Sequence, residues 1–273
     1  MTIALEGRLV LVGAGKMGGA MLEGWLAGGV AAAQVIVLDP DPPGEMRKLI
    51  AERKLSHNPP VADIADATVV VLAVKPQVMG RVLPGLKPLA RFSPVFLSIA
   101  AGCTIATFAR HFGADAAIVR AMPNTPAAIG RGMSVACPNS HVDDAQRTLC
   151  DGLLGAVGKV GWVDDEALLD AVTAVSGSGP AYVFYLAECM AEAGAAAGLP
   201  ADLAMTLARQ TVSGAGELMY RSPLDAATLR ENVTSPAGTT AAALEVLRDS
   251  GRLKALISEA VAAAARRSRE LAG

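Results

Sequence analysis

The chain has 273 residues, 52% apolar and 18% charged, with Lys plus Arg at 24 against Asp plus Glu at 26 and a net charge of −2. That length supplies a core for one large domain or two medium ones. Near-neutral charge and only 4% aromatics exclude a basic, base-stacking nucleic-acid surface, and the apolar excess points to surface buried between subunits.

Glu6 and Arg8 stand before the first apolar run, so a signal peptide is not expected and the location is read as cytoplasmic. The run Leu9–Val12 leads into Gly13-Ala14-Gly15-Lys16-Met17-Gly18. Met21, Leu22, Trp25 and Leu26 then recur at helical spacing until Gly28-Gly29. Strand, glycine turn and helix in this order make a dinucleotide fingerprint. Gly13 allows the tight turn, Gly15 lets a pyrophosphate approach the backbone, and Gly18 lets the helix pack on the strand. The N–H groups and dipole at the helix start then hold phosphate. A second run, Val35–Leu38, ends in Asp39, where a carboxylate takes the ribose hydroxyls of NADH and repels the 2′-phosphate of NADPH. Asp41 adds a second negative charge, and Arg47 and Lys48 are the nearest cations in sequence. NADH is therefore expected to be tolerated unusually well.

Further runs follow at 68–74, 95–100 and 116–123. They are continuous rather than alternating, as in strands buried on both faces of a parallel sheet. Ligands of such sheets lie beyond the carboxyl ends of the strands, here Val74-Lys75-Pro76, Ala100-Ala101-Gly102 and Met122-Pro123-Asn124-Thr125-Pro126. Cys103, Cys137, Cys150 and Cys189 are scattered without a CxxC pair, and His57, His111 and His141 are isolated. Ordinary buried thiols and no metal site are expected. The longest uncharged run, 171–187, is shorter than the ~20 apolar residues of a membrane helix.

From Glu166 the strand signals vanish. One long helix ends at Gly198, with Pro200 starting the next. Another is expected from Ser222-Pro223, and the last two over Thr240–Asp249 and Leu253–Leu271. The composition shift divides the chain into an α/β Rossmann-like domain, 1–164, and an all-α domain, 165–273. The helices of the second carry apolar residues on more than one face, which predicts a dimer. In "NVTSPAGTTAAALEVL", 232–247, Ser235, Thr239 and Thr240 crowd one helix entrance, with Gly238 permitting close approach. Such an entrance is either an over-specified cap or a seat for a carboxylate. "SGSGPAY", 176–182, offers a second glycine-rich entrance.

Together "AVKPQ" (73–77), "RAMPNTPA" (120–127), "SGSGPAY" and "LRENVTSPAGTTAAALEVL" (229–247), with the glycine motif, resemble pyrroline-5-carboxylate reductase over essentially the whole chain. The resemblance implies reduction of 1-pyrroline-5-carboxylate to L-proline by NADPH or NADH, the last step of proline biosynthesis, by a homodimer often built into a ring. It places the pyrophosphate on Gly13 to Gly18 and Asn58 near the adenosine ribose. Ala73, Val74, Lys75 and Pro76, with Ala100, Ala101 and Gly102, would line the nicotinamide end. Ser235, Gly238, Thr239 and Thr240 would hold the substrate carboxylate. Thr240 would also meet the ring nitrogen, and Lys75 would position the nicotinamide or tune its charge. Where relatives often have glycine, this chain has Ala237, whose methyl is expected to narrow the turn slightly. A β-hydroxyacid dehydrogenase or imine reductase would want a lysine on the helix 182–198, which has none. A non-catalytic dinucleotide sensor is the remaining alternative.

Overall fold

The computed structural model describes Ile3 and residues 5–272, the side chain of Ala272 excepted. The elements run β1 (Arg8–Val12), α1 (Lys16–Ala27), β2 (Val35–Leu38), α2 (Gly44–Glu52), β3 (Ser56–His57), β4 (Ala67–Leu72), α3 (Pro76–Leu86), β5 (Val95–Ser98) and α4 (Ile105–Phe112). Then come β6 (Ile118–Met122), β7 (Gly132–Pro138), α5 (Asp144–Gly155), β8 (Gly158–Trp162) and α6 (Leu168–Val172), which passes into a π-turn at Thr173–Gly177. The remainder is helical: α7 (Gly179–Ala196), α8 (Ala201–Arg221), α9 (Ala226–Asn232), α10 (Thr239–Arg248) and α11 (Arg252–Ala272).

Among the described residues the strands form one sheet in the order β3-β2-β1-β4-β5-β6-β7-β8. Alternate residues feed two cores. Leu9, Leu11, Val69, Val71 and Leu97 pack with Trp25 of α1 and Leu153 of α5. Val10, Val12, Val70, Leu72 and Phe96 pack with Leu83 of α3 and Phe108 of α4. Burial on both faces is why the runs read as continuous, each large side chain contributing about 1.5–3 kcal/mol. The sheet is not wholly parallel as expected, for β6 and β7 are antiparallel. The nine residues between them (123–131) are too few for a helical crossover, so the chain must reverse.

The chain divides into two compact units: residues up to Gly177 together with the stretch from Ala264 onward, and Ser178–Ala263. Within the first, Ser268 Oγ donates to Asp170 Oδ1 at 2.6 Å, and a side chain on Gly102 would meet the carbonyl oxygen of Leu271 at 3.0 Å. Within the second, α7 and α8 pair closely because Gly194 faces Ala204. The expected helix at Ser222-Pro223 instead begins at Ala226. Asp225 caps it by accepting from Thr228 N–H at 2.9 Å, while Ser222 Oγ accepts from Leu224 N–H in a turn of its own. The second unit leaves its apolar faces open: Phe184 is 63% exposed, Leu218 56%, Val246 65% and Leu256 63%. Among the described residues no helix is long and apolar enough to cross a membrane.

Candidate active site

Strand order reverses between β1 and β4, the place where open α/β sheets bind ligands. A cavity of about 620 Å³ opens there. Gly13 lies at φ +92°, and a side chain on it would strike Val74 and Ala73, so only glycine fits the turn. A side chain on Gly18 would strike the Gly13 carbonyl, which fixes α1 against the turn. Gly15 has nothing within 4 Å of where a side chain would start. Gly15 also caps α1 without a side chain and with no acid in the first turn, leaving the helix start ready for an anion. Those three features fit a dinucleotide pyrophosphate.

Of the residues expected at the cofactor, Gly13, Gly15, Asp39 and Asn58 line the cavity, as do Ala73, Val74 and Lys75. The others lie beside it. Ala14 is fully buried and donates its N–H to Asp39 Oδ2 at 2.7 Å, so it ties the turn to β2. Lys16, Met17, Gly18 and Pro76 belong to the opening turns of α1 and α3 rather than to the lining. Ala100, Ala101 and Gly102 follow β5 and do not line it either. Asn58 spends its side chain on the backbone of Asp39: Oδ1 accepts from the Asp39 N–H at 2.9 Å and Nδ2 donates to the carbonyl at 2.8 Å. It braces the end of β2. Arg47 turns away to Asp41 at 3.4 Å.

One helical face of the lining escaped the sequence reading. Val78, Arg81, Val82 and Gly85 of α3 all face the cavity. The i, i+3, i+4, i+7 spacing was the available signal. It was masked because the helix reads only as a connector after "VKP".

Two other motifs meet within the first unit. Asn124 Nδ2 donates to the carbonyl and Oγ of Ser176 at 3.2 and 3.1 Å, while its Oδ1 accepts from Met133 N–H at 2.8 Å. Asn124 thereby joins "RAMPNTPA" to "SGSGPAY". The latter is the entrance to α7, which begins at Gly179, and the π-turn at Thr173–Gly177 leads into it. Nearby Arg120, 7% exposed, donates to Glu166 Oε1 at 2.8 Å, and the same oxygen accepts from Ile105 N–H at 2.9 Å. That carboxylate anchors α4 to β6. Burial raises the Cys103 thiol, which makes it a poor nucleophile, and pushes Cys150 up to about 12. Cys189, expected to be buried, is exposed.

In the second unit, Ser235 to Gly238 form a tight turn closed by Gly238 N–H to the Ser235 carbonyl at 3.1 Å. A side chain on Gly238 would strike Ser235 Oγ. No side chain caps α10, and the hydroxyls of Ser235, Thr239 and Thr240 make no hydrogen bond among the described residues. Capping therefore does not explain three hydroxyls. Ala237 sits at φ +57°, the left-handed region. Its methyl strains the backbone of the turn rather than narrowing the opening. Ala237→Gly is expected to stabilise the protein by about 0.5 kcal/mol, the relieved strain less the added unfolded-state entropy. Denaturant melts read this; a loss of stability would contradict the strain.

The models of two known families match the chain: Pyrroline-5-carboxylate reductase dimerisation over residues 166–271, and NADP oxidoreductase coenzyme F420-dependent over 8–102. The pyrroline-5-carboxylate reductase of Pseudomonas aeruginosa is 43% identical over 267 residues, covering 97% of each chain. The chain belongs to the pyrroline-5-carboxylate reductase family. The structure of the Coxiella burnetii pyrroline-5-carboxylate reductase superposes with a TM-score of 0.90 at 34% identity, covering 97% of this chain and 98% of that one. The Plasmodium falciparum pyrroline carboxylate reductase with NADP bound superposes with a TM-score of 0.80 at 28% identity, covering 98% and 99%. As a family member the chain is an NAD(P)H-dependent oxidoreductase acting on the C=N bond of pyrroline-5-carboxylate, and it forms a homo-oligomer.

Proposed function

We propose that this chain reduces 1-pyrroline-5-carboxylate to L-proline chiefly by positioning, with the pyrophosphate of the cofactor on the Gly13–Gly18 turn and the substrate carboxylate on the start of α10. The observation that carries the reading is the α10 entrance, where three hydroxyls stand without partners among the described residues. Carboxylate binding uses the free N–H groups of the first turn with the hydroxyls of Ser235 and Thr239, and Gly238 permits the approach. Thr240 holds the ring nitrogen. Lys75, exposed at the start of α3 beside the Gly13 turn, orients the nicotinamide end. The nicotinamide supplies the hydride when bound. Because the imine nitrogen carries its own proton, orientation supplies most of the rate and no histidine acid is required.

The function divides at 164/165, with cofactor binding in 1–164 and substrate binding with assembly in 165–273. This rests on the two family matches, although the compact units part later, at Gly177. A homodimer through α7, α8, α10 and α11 covers the open apolar faces, and a ring of dimers extends it; sedimentation at micromolar concentration reads the subunit count. Free thiols at Cys103, Cys137, Cys150 and Cys189 agree with a reducing cytoplasm.

The expected result is oxidation of NADH or NADPH only when pyrroline-5-carboxylate is present, with proline as product. Folded protein giving no turnover above background with either cofactor would refute the reading.

A further inference from the structure

We propose that Arg81 of α3 is the residue that recognises the adenosine 2′-phosphate of NADPH, and that it offsets Asp39 at the same cavity. The inference rests on NAD(P)H occupying the cavity at the strand switch point.

The charged side chains lining that cavity are Asp39, Lys75 and Arg81. Lys75 stands at the start of α3, next to Val74 and the Gly13 turn. Arg81 lies six residues on, about 9 Å along the helix axis. Two cations so separated serve different groups, and Lys75 belongs to the end nearer the glycine turn. Arg81 is left for the far end. Pro59 and Val61, which follow β3, and Val78, Val82 and Gly85 of α3 give the same cavity an apolar lining suited to a flat base. Gly85 adds open space, with nothing within 4 Å of a side-chain position.

The surrounding charges favour the assignment. Asp39 Oδ2 accepts from Ala14 N–H at 2.7 Å, and Oδ1 accepts from Asp41 N–H at 3.0 Å. Both oxygens accept from backbone donors, which leaves less capacity for ribose hydroxyls and keeps in the cavity a fixed negative charge for a cation to offset. Asp41 pairs with Arg47, so the arginine nearest in sequence to Asp39 is already engaged. Arg81 is exposed and has no acidic partner among the described residues. A guanidinium left unpaired beside an apolar slot is suited to a phosphate, whose oxygens match its planar fork.

The experiment is calorimetric titration of wild type, Arg81→Met and Arg81→Lys with NADPH, NADH, adenosine 2′,5′-bisphosphate and 5′-AMP. Methionine keeps the helix propensity and length at an exposed site, and a circular-dichroism melt checks the fold. The expected result is about tenfold weaker binding of NADPH and the bisphosphate by Arg81→Met, with NADH and 5′-AMP within about twofold of wild type. Arg81→Lys is expected to fall between. Equal weakening of all four ligands would mean that Arg81 stacks on the base, and this would overturn the proposal, as would no change. Binding without discrimination overturns Arg81 alone. Failure of folded wild type to bind any of the four overturns the cofactor reading with it.

Discussion

Gly15→Ala is expected to fold like the wild type and lose NAD(P)H affinity by about thirtyfold, whereas Gly18→Ala is expected to destabilise the fold itself by about 3 kcal/mol. The two glycines lie three residues apart in one motif, yet different constraints act on them. At Gly15 the backbone, φ −68° and ψ −166°, suits any residue, and the space around a new methyl is empty. The methyl then fills the volume across which a pyrophosphate must approach the N–H groups of α1. At Gly18 the new methyl strikes the Gly13 carbonyl and comes within 3.1 Å of Ala73 Cβ. Neither is the end of a flexible side chain, so α1 must shift from β1 and open a core containing Trp25, Leu22 and Met21. Denaturant melts paired with NADPH titration separate the two. Wild-type affinity in Gly15→Ala would remove the pyrophosphate from this turn.

Thr240→Ala is expected to lower kcat/KM by roughly ten- to a hundredfold, ~1.4–2.8 kcal/mol of transition-state stabilisation, with little change in melting temperature. The small structural cost follows from α10 having no side-chain cap to lose. The kinetic cost follows from a hydroxyl whose partner, in this reading, is the substrate. The loss should appear in kcat as well as in KM, because contact with the ring nitrogen strengthens as the C=N bond is reduced. Normal kinetics with a lowered melting temperature would return Thr240 to a structural role.

The strands that sequence reveals are those whose two faces are both buried. β1, β2, β4, β5 and β6 consist largely of Val, Ile and Leu because helices cover each side. β7, "GMSVACP", alternates in burial, and β8, "GKVGW", holds no buried residue. Neither has an unbroken apolar run, and two-residue β3 is too short for any periodicity. The glycine turn was readable for a different reason: each of its three glycines answers a separate steric demand. Asn58 was less so. The family resemblance implied ribose contact for it, but its amide is taken up bracing Asp39, a pairing across 19 residues that no local pattern announces. Arg81 was missed because an arginine on a helix reads as a solvated face until the cavity beside it is known. At α10 the sequence left cap and carboxylate seat open, and the structure shows no side-chain cap among the described residues.

The return of the last stretch to the first unit has a consequence for how the chain is made. Ser268 bonds to Asp170 across 98 residues, and Leu271 closes over Gly102, which left the ribosome far earlier. Synthesis runs from the N-terminus, at ~5–20 residues per second. The sheet and its glycine turn are therefore complete while the segment that covers Gly102 is still inside the exit tunnel. During that interval the loop after β5 lacks its cover. The first unit is thus begun first and finished last, and a chain cut short before Ala264 would carry a complete glycine turn and an uncovered loop after β5.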